Sequence, residues 1–191
     1  MTCIVGIAIQ DAVYIGADSL GSGGGGKQVY STPKLIKLDA LEKRDMSLSK
    51  MCIGIGYTSS YRMGDILRYN FTPPQIGADT DENEYLVRDF VPDLIKCFEE
   101  HSFSKTKEGA KSGVNFLVGI RKRLFHVQED FSVLEPRSGY TAVGSGQDFA
   151  MGALFILKKK LEDPEKAVIS AIRAASEFST TVGGPAECIK I

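Results

Sequence analysis

The sequence predicts an α+β fold in which helices pack outside a core of two β-sheets. Three observations carry that prediction. Short runs that are apolar throughout, CIVGIAI at residues 3–9 above all, suit strands covered on both faces. Stretches with apolar residues at helical spacing come in pairs, once between the strand groups and once after them. Strands open the chain and return in its middle instead of alternating one-for-one with helices, which argues against βαβ units.

Taken in order, Cys3–Ile9 is the first strand, Gln10-Asp11 a turn, and Val13–Ala17 (VYIGA) the returning strand of a hairpin. If that turn centres on residues 10–11, Thr2 lies opposite Ser19 or Leu20, and Asp18 comes back beside the start of the chain. The glycine-rich LGSGGGGKQ then reads as a flexible loop. TPKLIKL is a strand with Lys34, Ile36 and Leu38 on one face, so the lysine shares its side with core residues. LDALEKRDMSLSK reads as a charged excursion and MCIGIGYTSS as a buried strand running into a turn. Helical spacing marks Tyr61–Tyr69, and FTPPQIGADTDENE is a polar loop. A longer helix follows, with a stripe through Leu86, Phe90, Val91, Leu94, Ile95 and Phe98 and a kink at Pro92. VNFLVGI, RLFHVQED and SGYTAVGSG are consecutive strands. Gln147–Leu157 is an amphipathic helix with Phe149, Ala150, Ala153, Leu154 and Leu157 along one side. Asp163-Pro164-Glu165 starts another that runs to about Thr180. Gly183-Gly184-Pro185 stops it, and AECIKI is the last strand. No internal repeat or linker interrupts the series, and residues 1–191 read as a single domain.

Bulk properties exclude several functions. A net charge of −1 implies no electrostatic attraction to nucleic acid or to an anionic membrane. No stretch reaches the ~20 apolar residues of a membrane span. The N-terminus lacks the basic lead of a secretory signal. The four scattered cysteines read as reduced thiols in a cytoplasmic protein. Two histidines cannot supply a three-histidine metal site. No cofactor or metal is expected. Gly21–Gly26 formally fits G-x-G-x-x-G, and GSGGGGK is one residue short of a phosphate loop. Gln28, however, stands where the magnesium-binding hydroxyl should be, and no helix follows. The Gly144-Ser145-Gly146 segment lacks the outer glycines of a nucleophile elbow.

What remains is Thr2, Asp18 and Lys34. A threonine exposed by loss of Met1 carries its own base, because an α-amine titrates near pH 7.7–8.0. A nearby ammonium makes the hydroxyl easier to deprotonate, and a carboxylate anchors that ammonium. The sequence here resembles the proteasome β-subunit and HslV-type peptidases, which are N-terminal nucleophile hydrolases. Both sixteen-residue spacings of that family, threonine to aspartate and aspartate to lysine, are held by Thr2, Asp18 and Lys34. VYIGADS, GIGYTSSYRMGD, TAVGSGQDFAMGA and SEFSTTVGGPAECIKI resemble further family segments in order.

The resemblance implies a four-layer αββα sandwich and a threonine-type peptidase that passes through an acyl-ester on Thr2. It implies Ser145 near the threonine amine, positioning a water. It places Gly56 as the backbone oxyanion donor, and Glu177 and Thr180 as supports of the site. Tyr57 stands where the family has a small residue, which narrows the cleft. Thr32, Ile36, Thr58 and Tyr61 are candidates for the side-chain pocket. The partners implied are a polypeptide substrate, further copies in a homo-oligomeric ring or stacked rings, and a separate ATP-dependent unfoldase. Two other readings use the same fold: an amidase acting on a small molecule, and a catalytically silent assembly protein. The enzyme readings require removal of Met1.

Overall fold

The computed structural model describes residues 2–23, 26–103, 105–107, 110–112 and 115–191. Met1, the glycine pair 24–25 and Val114 of the expected strand at 114–120 lie outside that set. Chain order begins with β1 (Cys3–Ala8) and β2 (Val13–Asp18), an antiparallel hairpin in which Ile4 faces Ala17 and Ala8 faces Val13. Its closure at Gln10–Asp11 follows from the break in an otherwise apolar sequence. The expected flexible loop is instead a short ribbon, β3 (Leu20–Gly23) with β4 (Gly26–Val29). Glycine-rich chain can still pair when its flanks, here Leu20 opposite Val29, are held together.

Next come β5 (Leu35–Arg44) and β6 (Ser47–Tyr57), paired along their whole length. The charged excursion is therefore the outer end of this hairpin. Leu38 and Ala40 face the core while Lys37 and Asp39 face solvent, so period-2 patterning outweighs the local charge. Helix α1 (Tyr61–Tyr69) buries Met63, Ile66 and Leu67 and is capped by Ser60, whose hydroxyl accepts from the Met63 N–H. After β7 (Ile76–Gly77), α2 (Glu82–Tyr85) leads through a π-helical turn at Leu86–Phe90 into α3 (Val91–Glu100). The distortion expected at Pro92 takes the form of that turn, which the Val91 N–H closes one residue ahead of the proline that has no N–H to give.

The remaining elements are β8 (Lys105–Lys107), β9 (Ala110–Ser112), β10 (Phe116–Ile120), β11 (Arg123–Val127), β12 (Val133–Leu134), β13 (Tyr140–Gly144), α4 (Gln147–Leu157), α5 (Pro164–Phe178) and β14 (Ala186–Lys190). Helix α5 ends two residues before the expected Thr180. On α4, Ala150 and Leu154 are buried, but Phe149 is 43% exposed and meets the ring of Phe178. The helix rests on its one-turn line at 150 and 154, and Phe149 falls beside that line.

Two sheets form the core, in the order β13–β1–β2–β14 and β12–β11–β10–β6–β5–β7. Ile4, Val13, Ile15, Leu117, Leu124 and Val143 fill the space between them. Helices α4 and α5 cover the outer face of the first sheet, α4 through Ala150 and Leu154 and α5 through Val168, Ala171 and Ile172. Helices α1 and α3 cover the second through Met63, Leu67 and Leu94. The layers run αββα, as the sequence predicts. No helix among the described residues is long and apolar enough to cross a membrane.

Candidate active site

Pairing of Ile4 with Ala17 carries Asp18 to the level of Cys3, one residue from Thr2. Lys34 enters from the segment just ahead of β5. Thr2, Asp18 and Lys34 are all nearly inaccessible, at 2%, 2% and 5% exposure. Asp18 Oδ1 accepts three hydrogen bonds: from Thr2 Oγ1 at 2.5 Å, from Lys34 Nζ at 2.7 Å and from the Cys3 N–H at 3.0 Å. Asp18 Oδ2 accepts from the Gly183 N–H at 3.1 Å. The ammonium also donates to the Leu20 carbonyl at 2.8 Å and to Thr2 Oγ1. The hydroxyl thus sits between a carboxylate that takes its proton's hydrogen bond and an ammonium aimed at its oxygen.

Burial pulls the Lys34 pKa below its ordinary value, against the opposing pull of Asp18. Cys3 is adjacent in sequence, yet burial foremost, aided by Asp18, pushes its thiol up to about 12. Only the thiolate is nucleophilic, so the buried Cys3 sulfur is held in its unreactive form.

The other expected residues divide. Ser145 follows β13 and donates to the Thr2 carbonyl at 3.3 Å. Gly56 lies within β6, and a Cβ there would stand 2.5 Å from Ile4 Cγ2 and 2.7 Å from Ile15 Cγ2. Its glycine lets the two sheets approach, and it does not line the cavity beside Thr2. That cavity is lined from the other side by Thr58, Ser59 and Tyr61. Ser59 holds a left-handed φ of 73°. Glu177 and Thr180 are exposed and do not join the cluster. Glu177 falls on the side of α5 away from the buried line that ends at Ala175. Ser179 leaves the helix in an extended conformation and the chain turns at residues 180–181, a turn that leaves Ser179 and Thr181 half-buried and Thr180 exposed. Thr181 Oγ1 meets Ser145 Oγ at 2.8 Å and Ser179 Oγ at 3.0 Å. The Ser-Thr-Thr run was the available signal for this hydroxyl chain, and its phase after the helix end chose the members. Gly183 was visible only as a helix stop. Gly184 beyond it has φ 73°, and a Cβ there would lie 2.5 Å from Ser19 Oγ. Among the described residues no group of three His, Cys, Asp or Glu side chains could hold a metal ion.

Solved structures supply the comparison. BPH from Thiobacillus denitrificans matches with a TM-score of 0.77 at 22% identity, over 99% of this chain and 97% of that one. HslV from Trypanosoma brucei matches with a TM-score of 0.63 at 18% identity, over 98% of each chain. This chain has their fold. The helical assembly of Anbu from Pseudomonas aeruginosa shares it, with a TM-score of 0.67 at 9% identity over 99% of this chain and 80% of that one. The N-terminal nucleophile hydrolase fold expected from the sequence is thus the fold found. No family model and no curated protein sequence matches the chain.

Proposed function

We propose that this protein is a threonine-type peptidase whose working form begins at Thr2. The observation that carries the reading is the Thr2 hydroxyl held between Asp18 and Lys34 at the edge of a cavity. With Met1 removed, the Thr2 α-amine accepts the hydroxyl proton as Oγ1 attacks a peptide carbonyl. Lys34 stabilises the developing alkoxide, and Asp18 holds Lys34 in place. The carbonyl oxygen, now an anion, takes a hydrogen bond from the Ser59 N–H in place of Gly56. The ammonium on Thr2 then protonates the leaving amine, leaving an ester on Oγ1 that water hydrolyses. Ser145, oriented by Thr181, fixes the Thr2 backbone and with it the amine.

Since Anbu from Pseudomonas aeruginosa is described as a helical assembly, we assign this chain to a homo-oligomer as well. It would take unfolded polypeptide from a separate ATP-driven chain in the cytoplasm. The deciding experiment is intact mass of the active protein, with and without a peptidyl epoxyketone, a probe that needs both a hydroxyl and an adjacent free amine. A chain lacking one methionine and labelled at Thr2 supports the reading. Full retention of Met1 in a preparation that cleaves peptides overturns it.

A further inference from the structure

The cavity beside Thr2 measures about 120 Å³, roughly four times a water molecule's share of the liquid. That is room for one side chain of moderate size. Its polar wall is almost entirely committed. Lys34 spends its donors on Thr2, Asp18 and the Leu20 carbonyl. The Tyr57 hydroxyl donates to the Pro33 carbonyl at 3.2 Å. Thr58 Oγ1 donates to the Asn115 carbonyl at 3.0 Å and meets Ser59 Oγ at 2.9 Å. Ser60 Oγ accepts from the Met63 N–H as the cap of α1.

Tyr61 differs from all of these. Its hydroxyl is buried and has no hydrogen-bond partner among the described residues. The ring is held edge-on against Tyr30, with centroids 5.4 Å apart, so the hydroxyl cannot swing out to water without losing that contact. Burial, followed by the charge of Asp18, raises the phenol pKa. At neutral pH it is therefore a donor in want of an acceptor. A buried donor left unpaired costs on the order of 1–3 kcal/mol, and a ligand that pairs it recovers that cost.

We propose that the Tyr61 hydroxyl sets the substrate class, selecting peptides in which the residue carrying the scissile carbonyl has an uncharged side-chain acceptor of glutamine or asparagine type. This rests on the peptidase reading above, because attack by Thr2 is what seats that residue's side chain in the cavity. Aliphatic side chains of equal size leave the hydroxyl unpaired. A carboxylate would pair it but would enter a cavity whose lysine is already spent on Asp18, and an uncompensated buried charge is disfavoured.

The test compares three peptides identical except for Gln, Met or Glu at that position. Binding is read by fluorescence anisotropy on Thr2→Ala and on Thr2→Ala with Tyr61→Phe. Turnover is read on the otherwise unaltered chain and on Tyr61→Phe alone. The expected result is that Gln binds and turns over five- to tenfold better than Met and Glu when Tyr61 is present, and that the Gln–Met gap closes in Tyr61→Phe. Phenylalanine keeps the ring against Tyr30, and an unchanged melting temperature verifies the fold. Equal binding of Gln and Met, a gap that survives Tyr61→Phe, or no binding of any peptide overturns the proposal. A Tyr61-dependent binding preference without turnover upholds Tyr61 as the selecting group and defeats the peptidase reading instead.

Discussion

Two clusters of charge hold the second sheet and its neighbours in place, and they are put together in opposite ways. Around Arg121 and Arg123, at the β10–β11 turn, cations meet an excess of carboxylates. Arg121 binds Glu42 and Glu82, each at 2.8 Å, and Arg123 binds Asp81, Glu82 and, through two nitrogens, Glu135. Around Lys34 one cation meets one carboxylate, and its remaining donors reach a carbonyl and the Thr2 hydroxyl. The first cluster stays partly wet, with side-chain exposures of 14–55%, whereas the second is sealed. Hydrogen bonds to Glu135, against the opposing pull of burial, hold Arg123 above its usual pKa, while burial pulls Lys34 below its own. A cation saturated by carboxylates ties strands together. A desolvated cation with a hydroxyl as partner is the arrangement that the proposed peptidase requires.

Mutation can break or sharpen that contrast. The largest effect expected is from Thr2→Ala, which should lower kcat for peptide hydrolysis by at least ~10³-fold. It should shift the melting temperature by only about 2–4 °C, because one hydrogen-bonding hydroxyl is worth ~1 kcal/mol. Residual activity near that of the parent would show that the sealed cluster is structural after all.

Lys34→Met should fail in both assays. It strands Asp18 as a buried unpaired charge, a loss of about 3–5 kcal/mol by urea unfolding, and it removes the group that stabilises the alkoxide. Arg121→Ala should separate the two properties, costing about 1–3 kcal/mol with kcat per folded molecule unchanged. A drop in kcat there would join the clusters functionally.

Thr181→Val is a finer probe. It should reduce kcat several-fold and alter the pH profile of kcat through Ser145 and the Thr2 amine, with Thr181→Ser restoring both. A stability change alone would make Thr181 a packing residue.

The smallest effect concerns His126, whose Nε2 donates to Asn115 Oδ1 at 2.9 Å. Burial holds its pKa below the ordinary 6.5. The unfolded chain therefore binds the proton more readily, and stability should fall as pH drops through 6.5 into the range below. His126→Gln should flatten that slope in urea midpoints measured from pH 7.5 to 5.5, and an unchanged slope would remove His126 as its source.

Much of the site was legible because its geometry is local. Seven apolar residues, a turn at Gln10–Asp11 and a second apolar run close as a hairpin, and either register of it brings Asp18 beside Thr2. Alternation along Lys34, Ile36, Leu38 and Ala40 places the lysine on the buried face. The same patterning of apolar runs and stripes placed helices outside a two-sheet core, and the family resemblance supplied the αββα order. Other features depend on phase and contact across the chain. Gly56 looked like a donor at a strand end, yet the sheet spacing needed its missing side chain against Ile4. Thr180 and Thr181 differ by one position in the turn after α5, and only where that helix stops decides which of them meets Ser145.

The sequence by itself determined the layers, the hairpin and the threonine–aspartate–lysine triplet, since periodicity and short-range closure are written in neighbouring residues. Tertiary structure alone decided that the Gly183 N–H locks Asp18 from 165 positions away, that Ser59 and not Gly56 lines the cavity, and that the Tyr61 hydroxyl is left without a partner among the described residues. Those are matters of which polar groups find one another once the sheets have packed, and a donor's satisfaction depends on every element around it.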